Sequence, residues 1–160
     1  MKREKKIIIV SHCVLNQNSV VLPLARAEGP FTFVDTLLKN NIGIYQLPCP
    51  EFKFGGLNRK SMTKEEYDTP EYRNLCKTLS AEVINDIVEY VNNDYKAIGI
   101  IGINHSPTCS ISGKMGILME EIFKLLDEKE ITIPYIEVPG EYEDDIDSVL
   151  KINSELLTLI

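Results

Sequence analysis

The sequence has no tryptophan and only two histidines, His12 and His105. It has no Cys-x-x-Cys pair, which argues against a structural zinc site of the usual spacing. No Gly-x-Gly-x-x-Gly follows the first apolar run, so a nicotinamide cofactor is not expected, and no Gly-x-x-x-x-Gly-Lys-Ser/Thr loop is present to cradle a nucleotide phosphate. Long hydrophobic runs are missing too. The longest, Ile7–Val10 and Ala97–Ile103, fall far short of the roughly 20 residues a bilayer helix needs, so no membrane partner is expected. The basic start, Met1 to Lys6, leads into too short an apolar stretch for a secretory signal, and the chain is expected in the cytoplasm. Positive charge is in deficit: 17 Lys and Arg stand against 24 Asp and Glu, a net charge of −7. Such a balance matches a polyphosphate backbone poorly, so no duplex nucleic acid is expected as a partner.

What is present suits one compact domain. The 160 residues are 44% hydrophobic, enough for one core and too few for two ordinary domains, so residues 1–160 are read as a single unit. Lys5–Val10 is apolar and β-branched at nearly every position, as in a strand buried on both faces. Phe31–Asn40 carries a helical stripe, and Ile42–Leu47 is a second strand stopped by Pro48. Residues from Cys49 to about Thr69 look like a long functional loop. Thr69 as N-cap and Pro70 at the first helical position open a helix that runs to Asn92-Asn93. Tyr95–Ile103 is a third strand, Lys114–Glu128 a helix, Ile131–Val138 a fourth strand and Asp145–Ile160 a closing helix. Pro134 inside the fourth strand points to an edge position or an early stop. The alternation predicts an α/β fold: a mainly parallel sheet of about four strands with helices on both faces, a Rossmann-like three-layer sandwich.

That topology gives the cysteines meaning. Cys13 follows the first strand, Cys49 the second, and Cys109 comes shortly after the third. In an open parallel sheet the carboxyl ends of the strands share one edge, where ligands bind. Three cysteines far apart in sequence are thereby brought to one rim. Cys76, in the long helix beside its apolar stripe, reads as core packing. Pro48 and Pro50 fix the backbone around Cys49. Ser106-Pro107-Thr108 before Cys109 and Ser110-Ile111-Ser112-Gly113 after it supply hydroxyl and N–H donors.

Three thiolates without a fourth cysteine suit a 4Fe–4S cluster with one open iron, a soft Lewis acid fit for sulfur. His12 or His105 completing a zinc or cluster site is the competing reading. Packing of all three cysteines in a flavodoxin-like binding module is another.

The motifs Val10-Ser11-His12-Cys13-Val14-Leu15, Leu47-Pro48-Cys49-Pro50-Glu51 with Gly55-Gly56-Leu57 behind it, and Ser106-Pro107-Thr108-Cys109 resemble the thiouracil desulfidase family, from about Lys5 to Gly113. The resemblance implies a 4Fe–4S cofactor on Cys13, Cys49 and Cys109, and hydrolysis of a thiolated pyrimidine with release of sulfide and no net redox change. The chain departs from the family pattern at His12, at Asn16-Gln17-Asn18 and at Gly102-Ile103-Asn104-His105.

On this reading the partner is a small thiolated substrate, and a homodimer is compatible with the sequence. Glu51 is the candidate base for water. Its other reading is a carboxylate capping N–H groups in the Pro50–Gly56 turn. Ser106 and Asn104 are catalytic candidates, and Ser11, His105 and Arg59 are substrate-binding candidates. The serines read equally as turn formers, and His105 as a surface imidazole. Gly55-Gly56-Leu57-Asn58-Arg59-Lys60 is either a turn or a lid. Two rival functions remain: a cluster-bearing sulfur carrier or sensor, and a cluster-free enzyme in which Cys13 or Cys109 is the nucleophile.

Overall fold

The computed structural model describes residues 1–160. Its elements are β1 (Lys6–Val10), α1 (His12–Leu15), α2 (Val34–Lys39), β2 (Gly43–Gln46), α3 (Pro50–Gly55), α4 (Lys64–Tyr67), α5 (Pro70–Asn92), β3 (Lys96–Ile103), α6 (Ile117–Glu128), β4 (Tyr135–Val138) and α7 (Ile146–Leu159). Two 3-10 turns, Gln17–Ser19 and Leu22–Leu24, lie between α1 and α2. The four strands form one sheet in the order β2-β1-β3-β4, every pair parallel. The α/β expectation therefore holds.

The pleat divides the core. Ile8 and Val10 point into one apolar cluster with Phe31, Phe33, Leu37 and Leu156, under α2 and α7. Ile9, between them, points into the other with Leu79, Val83, Ile87 and Ile122, under α5 and α6. Alternate residues of a strand face opposite sides of a sheet, so a strand apolar at every position requires helices on both. Cys76 is fully buried in the α5–α6 layer, as its helical position predicts.

The long polar stretch after β2 is not a plain loop. It holds α3, begun by Pro50 at the first position, and α4, begun by a capping box in which Thr63 Oγ1 accepts from Glu66 N–H and Glu66 accepts from Thr63 N–H. The fourth strand is shorter than expected and starts at Tyr135, just past Pro134. It lies at the sheet edge, where a proline is tolerated.

Strand order fixes where the ligand edge is deepest. The connection leaving β1 leads to β2 on one side, and that leaving β3 leads to β4 on the other. The gap between the carboxyl ends of β1 and β3 is the switch point, where outgoing chains diverge and leave a crevice.

Candidate functional site

A cavity of about 570 Å³ opens at that edge, and Cys13, Cys49 and Cys109 all line it. Each arrives by a different local device. Cys13 sits in α1, the single turn that follows β1, and fully buried Val14 beside it anchors the turn in the core. Gln17 Nε2–H donates to the Cys13 carbonyl at 2.9 Å. Cys49 is extended (φ −96°, ψ 105°), between its two prolines, and caps α3 with its own sulfur, which accepts Phe52 N–H at 3.4 Å. Cys109 stands in the turn after β3, where its N–H donates to Ser106 Oγ at 2.9 Å and its carbonyl accepts from Ile103 N–H at 3.0 Å.

The turn carrying Cys109 is braced from three sides. Thr108 and Tyr72 of α5 share a buried hydroxyl hydrogen bond of 2.6 Å. Pro107 and Thr108 carbonyls accept the first N–H groups of α6, which otherwise lack partners. From β4, the Glu137 carboxylate accepts Ile111 N–H at 2.9 Å, Ser112 N–H at 3.0 Å and the Ser112 hydroxyl.

The three thiols are half-buried and feel one another. Burial pushes Cys13 up to about 12, with further upward pressure from Cys49 and Glu51, while Arg26 pulls the other way. Burial also raises Cys49, against the Phe52 N–H that favours its thiolate. Cys109 is raised well above the ordinary thiol range by burial and by the other two sulfurs. A metal-free thiol raised in this way is protonated at neutral pH and a weak nucleophile. Metal-free protein is accordingly expected to alkylate slowly at Cys13 with iodoacetamide. At pH 7 the rate should be about a thousandfold below that of an unperturbed thiol, and it should rise about tenfold per pH unit as the thiolate appears. Peptide mapping of alkylated protein across pH 7 to 10 checks this; fast alkylation of Cys13 at pH 7 contradicts it.

No group of three or more His, Cys, Asp and Glu side chains is arranged to hold a metal ion. His12 lines the same cavity, with its Nδ1 3.1 Å from the Leu47 carbonyl oxygen. Three soft sulfur donors line one cavity, the donor type that iron–sulfur clusters take from a protein.

The other expected residues divide. Glu51, Arg59, Asn104, His105 and Ser106 line the same cavity as the thiols. Ser11 does not. It is fully buried, and its hydroxyl donates to Ile101 O at 3.0 Å. It lies beside Cys109 and supports that cysteine's setting from within the core, out of reach of the cavity. Ser106 Oγ accepts both Thr108 N–H and Cys109 N–H, so it forms the turn and orients the cysteine. Glu51 caps no local N–H, the Cys49 sulfur having that task. Its carboxylate instead accepts from Tyr67 OH at 3.2 Å and lies near Arg59. Arg59 donates to Gly56 O at 2.9 Å and Ser19 O at 2.7 Å, which ties the glycine loop down instead of leaving it a lid. His105 holds a left-handed backbone (φ 66°) and packs its ring on Gly140, where an added Cβ would lie 2.6 Å from Cδ2.

Arg26 and Gln17 were not legible as site residues. Gln17 is buried and joins Cys13 to Arg26, donating to the Cys13 carbonyl and accepting Arg26 N–H at 2.9 Å. Arg26 Nη1–H donates to Pro139 O at 2.6 Å and Gly140 O at 3.2 Å, and its guanidinium lies over the Phe31 ring. No carboxylate pairs with it within salt-bridge distance, and it faces the cavity beside Cys13.

No protein-family model matches the chain, and no solved structure matches it. The uncharacterized protein MJ0003 of Methanocaldococcus jannaschii is 54% identical over 141 residues, spanning 88% of this chain and 90% of the archaeal one.

Proposed function

For this chain, which belongs to the same family as the archaeal protein MJ0003, we propose an iron–sulfur-dependent desulfidase that hydrolyses a small thiocarbonyl compound, with a thiolated pyrimidine as model substrate. One observation carries the reading: sulfurs from the ends of three parallel strands line a single cavity that also holds a carboxylate and an unpaired guanidinium. The motif resemblance to thiouracil desulfidases supports the same assignment.

Cys13, Cys49 and Cys109 would hold a 4Fe–4S cluster, which supplies a soft Lewis acid at an iron without a protein ligand. The protein's own groups do the rest. Arg26, anchored through Nη1, turns its remaining donors to an acceptor oxygen of the substrate. Glu51 takes a proton from water as its oxygen attacks the thiocarbonyl carbon. Of the other cavity residues, Asn104 hydrogen-bonds the heterocycle and His105 relays a proton to the departing sulfur. Water provides the oxygen and two protons, sulfur leaves as hydrogen sulfide, and no oxidant or reductant enters. Direct attack by Cys13 or Cys109 in the metal-free protein is disfavoured because burial raises both thiols above the ordinary thiol range.

Anaerobically reconstituted protein should release sulfide from 2- or 4-thiouracil and form uracil, measured by methylene-blue assay and chromatography. A cluster-loaded sample that releases none from thiolated bases or nucleosides sinks the proposal. In the same assay Arg26→Met should raise KM about tenfold or more, since it removes a charged hydrogen bond to substrate. An unchanged KM would leave Arg26 without that role.

A further inference from the structure

One donor in the cavity wall has no partner. The Arg59 side chain is only 7% exposed, and its Nε is buried without any hydrogen-bond acceptor. Its other two nitrogens are committed to Gly56 O and Ser19 O, so the guanidinium cannot swing to satisfy it. The nearest charge is Glu51 Oε1 at 3.9 Å, with Glu51 itself 19% exposed. That separation is too long for an N–H···O⁻ hydrogen bond, which prefers about 2.8 Å. It suits two such bonds meeting at one oxygen, at an angle of roughly 90°. A buried N–H left unmet is costly, so the working site fills the position with an acceptor.

We propose that Arg59 Nε–H and the Glu51 carboxylate together seat the water that becomes the product's carbonyl oxygen. Arg59 is thus a positioning residue and not, as the sequence suggests, a substrate contact. The inference rests on the desulfidase reading and sharpens it. Arg59 accepts no proton: its N–H holds the water oxygen by a lone pair and aims one O–H at Glu51. In the attack a C–O bond forms, Glu51 receives the proton, and the C–S bond then breaks with both water protons ending on sulfide. A neutral thiocarbonyl and one water give a carbonyl and hydrogen sulfide, so atoms and electrons balance.

Two measurements decide it. A high-resolution crystal structure of the wild-type chain should show an ordered water within hydrogen-bond distance of Arg59 Nε and Glu51; a closed direct contact, or no water in that gap, overturns the seat. In cluster-loaded protein, Arg59→Met should lower kcat about 100-fold with KM changed by less than about twofold and iron content unaltered. A raised KM with kcat intact overturns the proposal in favour of substrate binding. The density is read on the wild-type chain, so it stands whatever the variant's stability. Sulfide release without the water overturns the seat alone. Water without sulfide release overturns the desulfidase reading and the water's role with it.

Discussion

Single replacement of Cys13, Cys49 or Cys109 by alanine is expected to abolish the proposed 4Fe–4S cluster, while Cys76→Ala keeps full iron and acid-labile sulfide. The contrast follows from position. The first three sulfurs line one cavity at the carboxyl ends of β1, β2 and β3, whereas Cys76 is fully buried between α5 and its neighbours and faces no cavity of that kind. A cluster held by only two thiolates and solvent lacks the enclosure that protects it, so the loss should be complete and not graded. Cys76→Ala should instead cost about 1 kcal/mol of stability through lost packing. Iron and sulfide analysis of anaerobic protein, with the visible absorption band, measures all four variants. Full cluster in Cys49→Ala would refute the assignment, and loss in Cys76→Ala would show that the wrong three sulfurs were chosen.

Gly116→Ala should be the most damaging change away from the sulfurs. Gly116 lies where the turn carrying Cys109 folds back on the start of α6. A Cβ there would stand 2.6 Å from Cys109 N and closer still to the Thr108 carbonyl, all of it backbone. Backbone cannot step aside as a flexible side chain can, so either the turn or the helix start moves. The hydrogen bond from Gly116 N–H to Ser110 O and the caps given by Pro107 and Thr108 carbonyls are strained together. A loss of about 3 kcal/mol is expected, a fall in Tm of roughly 6–12 °C for a chain of this size. Reconstitution with iron and sulfide should fail in parallel, because the displaced residue is Cys109. Thermal unfolding and iron content are the checks; a variant with wild-type Tm would mean that the turn yields freely.

The sulfur rim was legible because it depends only on where strands end. Ile7–Val10, Ile42–Leu47 and Ala97–Ile103 are apolar enough to declare strands, and parallel strands share one carboxyl edge. What lay hidden depends on pairing order and on irregular chain. Nothing in β3 announces that it pairs on the far side of β1 from β2, yet that choice makes the crevice between Cys13 and Cys109. Ser11 looked like a cavity residue from its nearness to Cys13, but it points inward against Ile101 O. Arg26 sits in a stretch without periodicity, and the Gln17 bridge together with the Pro139 and Gly140 carbonyls holds it beside Cys13. The short helices α3 and α4 were masked by polar composition. Pro50 and the Thr63–Glu66 spacing signalled their starts all the same.

Strand order also dictates when the sulfurs can first act together. Those of residues 13 and 49 become neighbours as soon as β1 and β2 pair, but the third arrives only after β3 has crossed over α5 and docked on the opposite flank. A growing polypeptide that stops short of β3 offers two thiols and an unfinished wall. Any inorganic group gripped by all three therefore meets its full ligand set only once β3 lies beside β1.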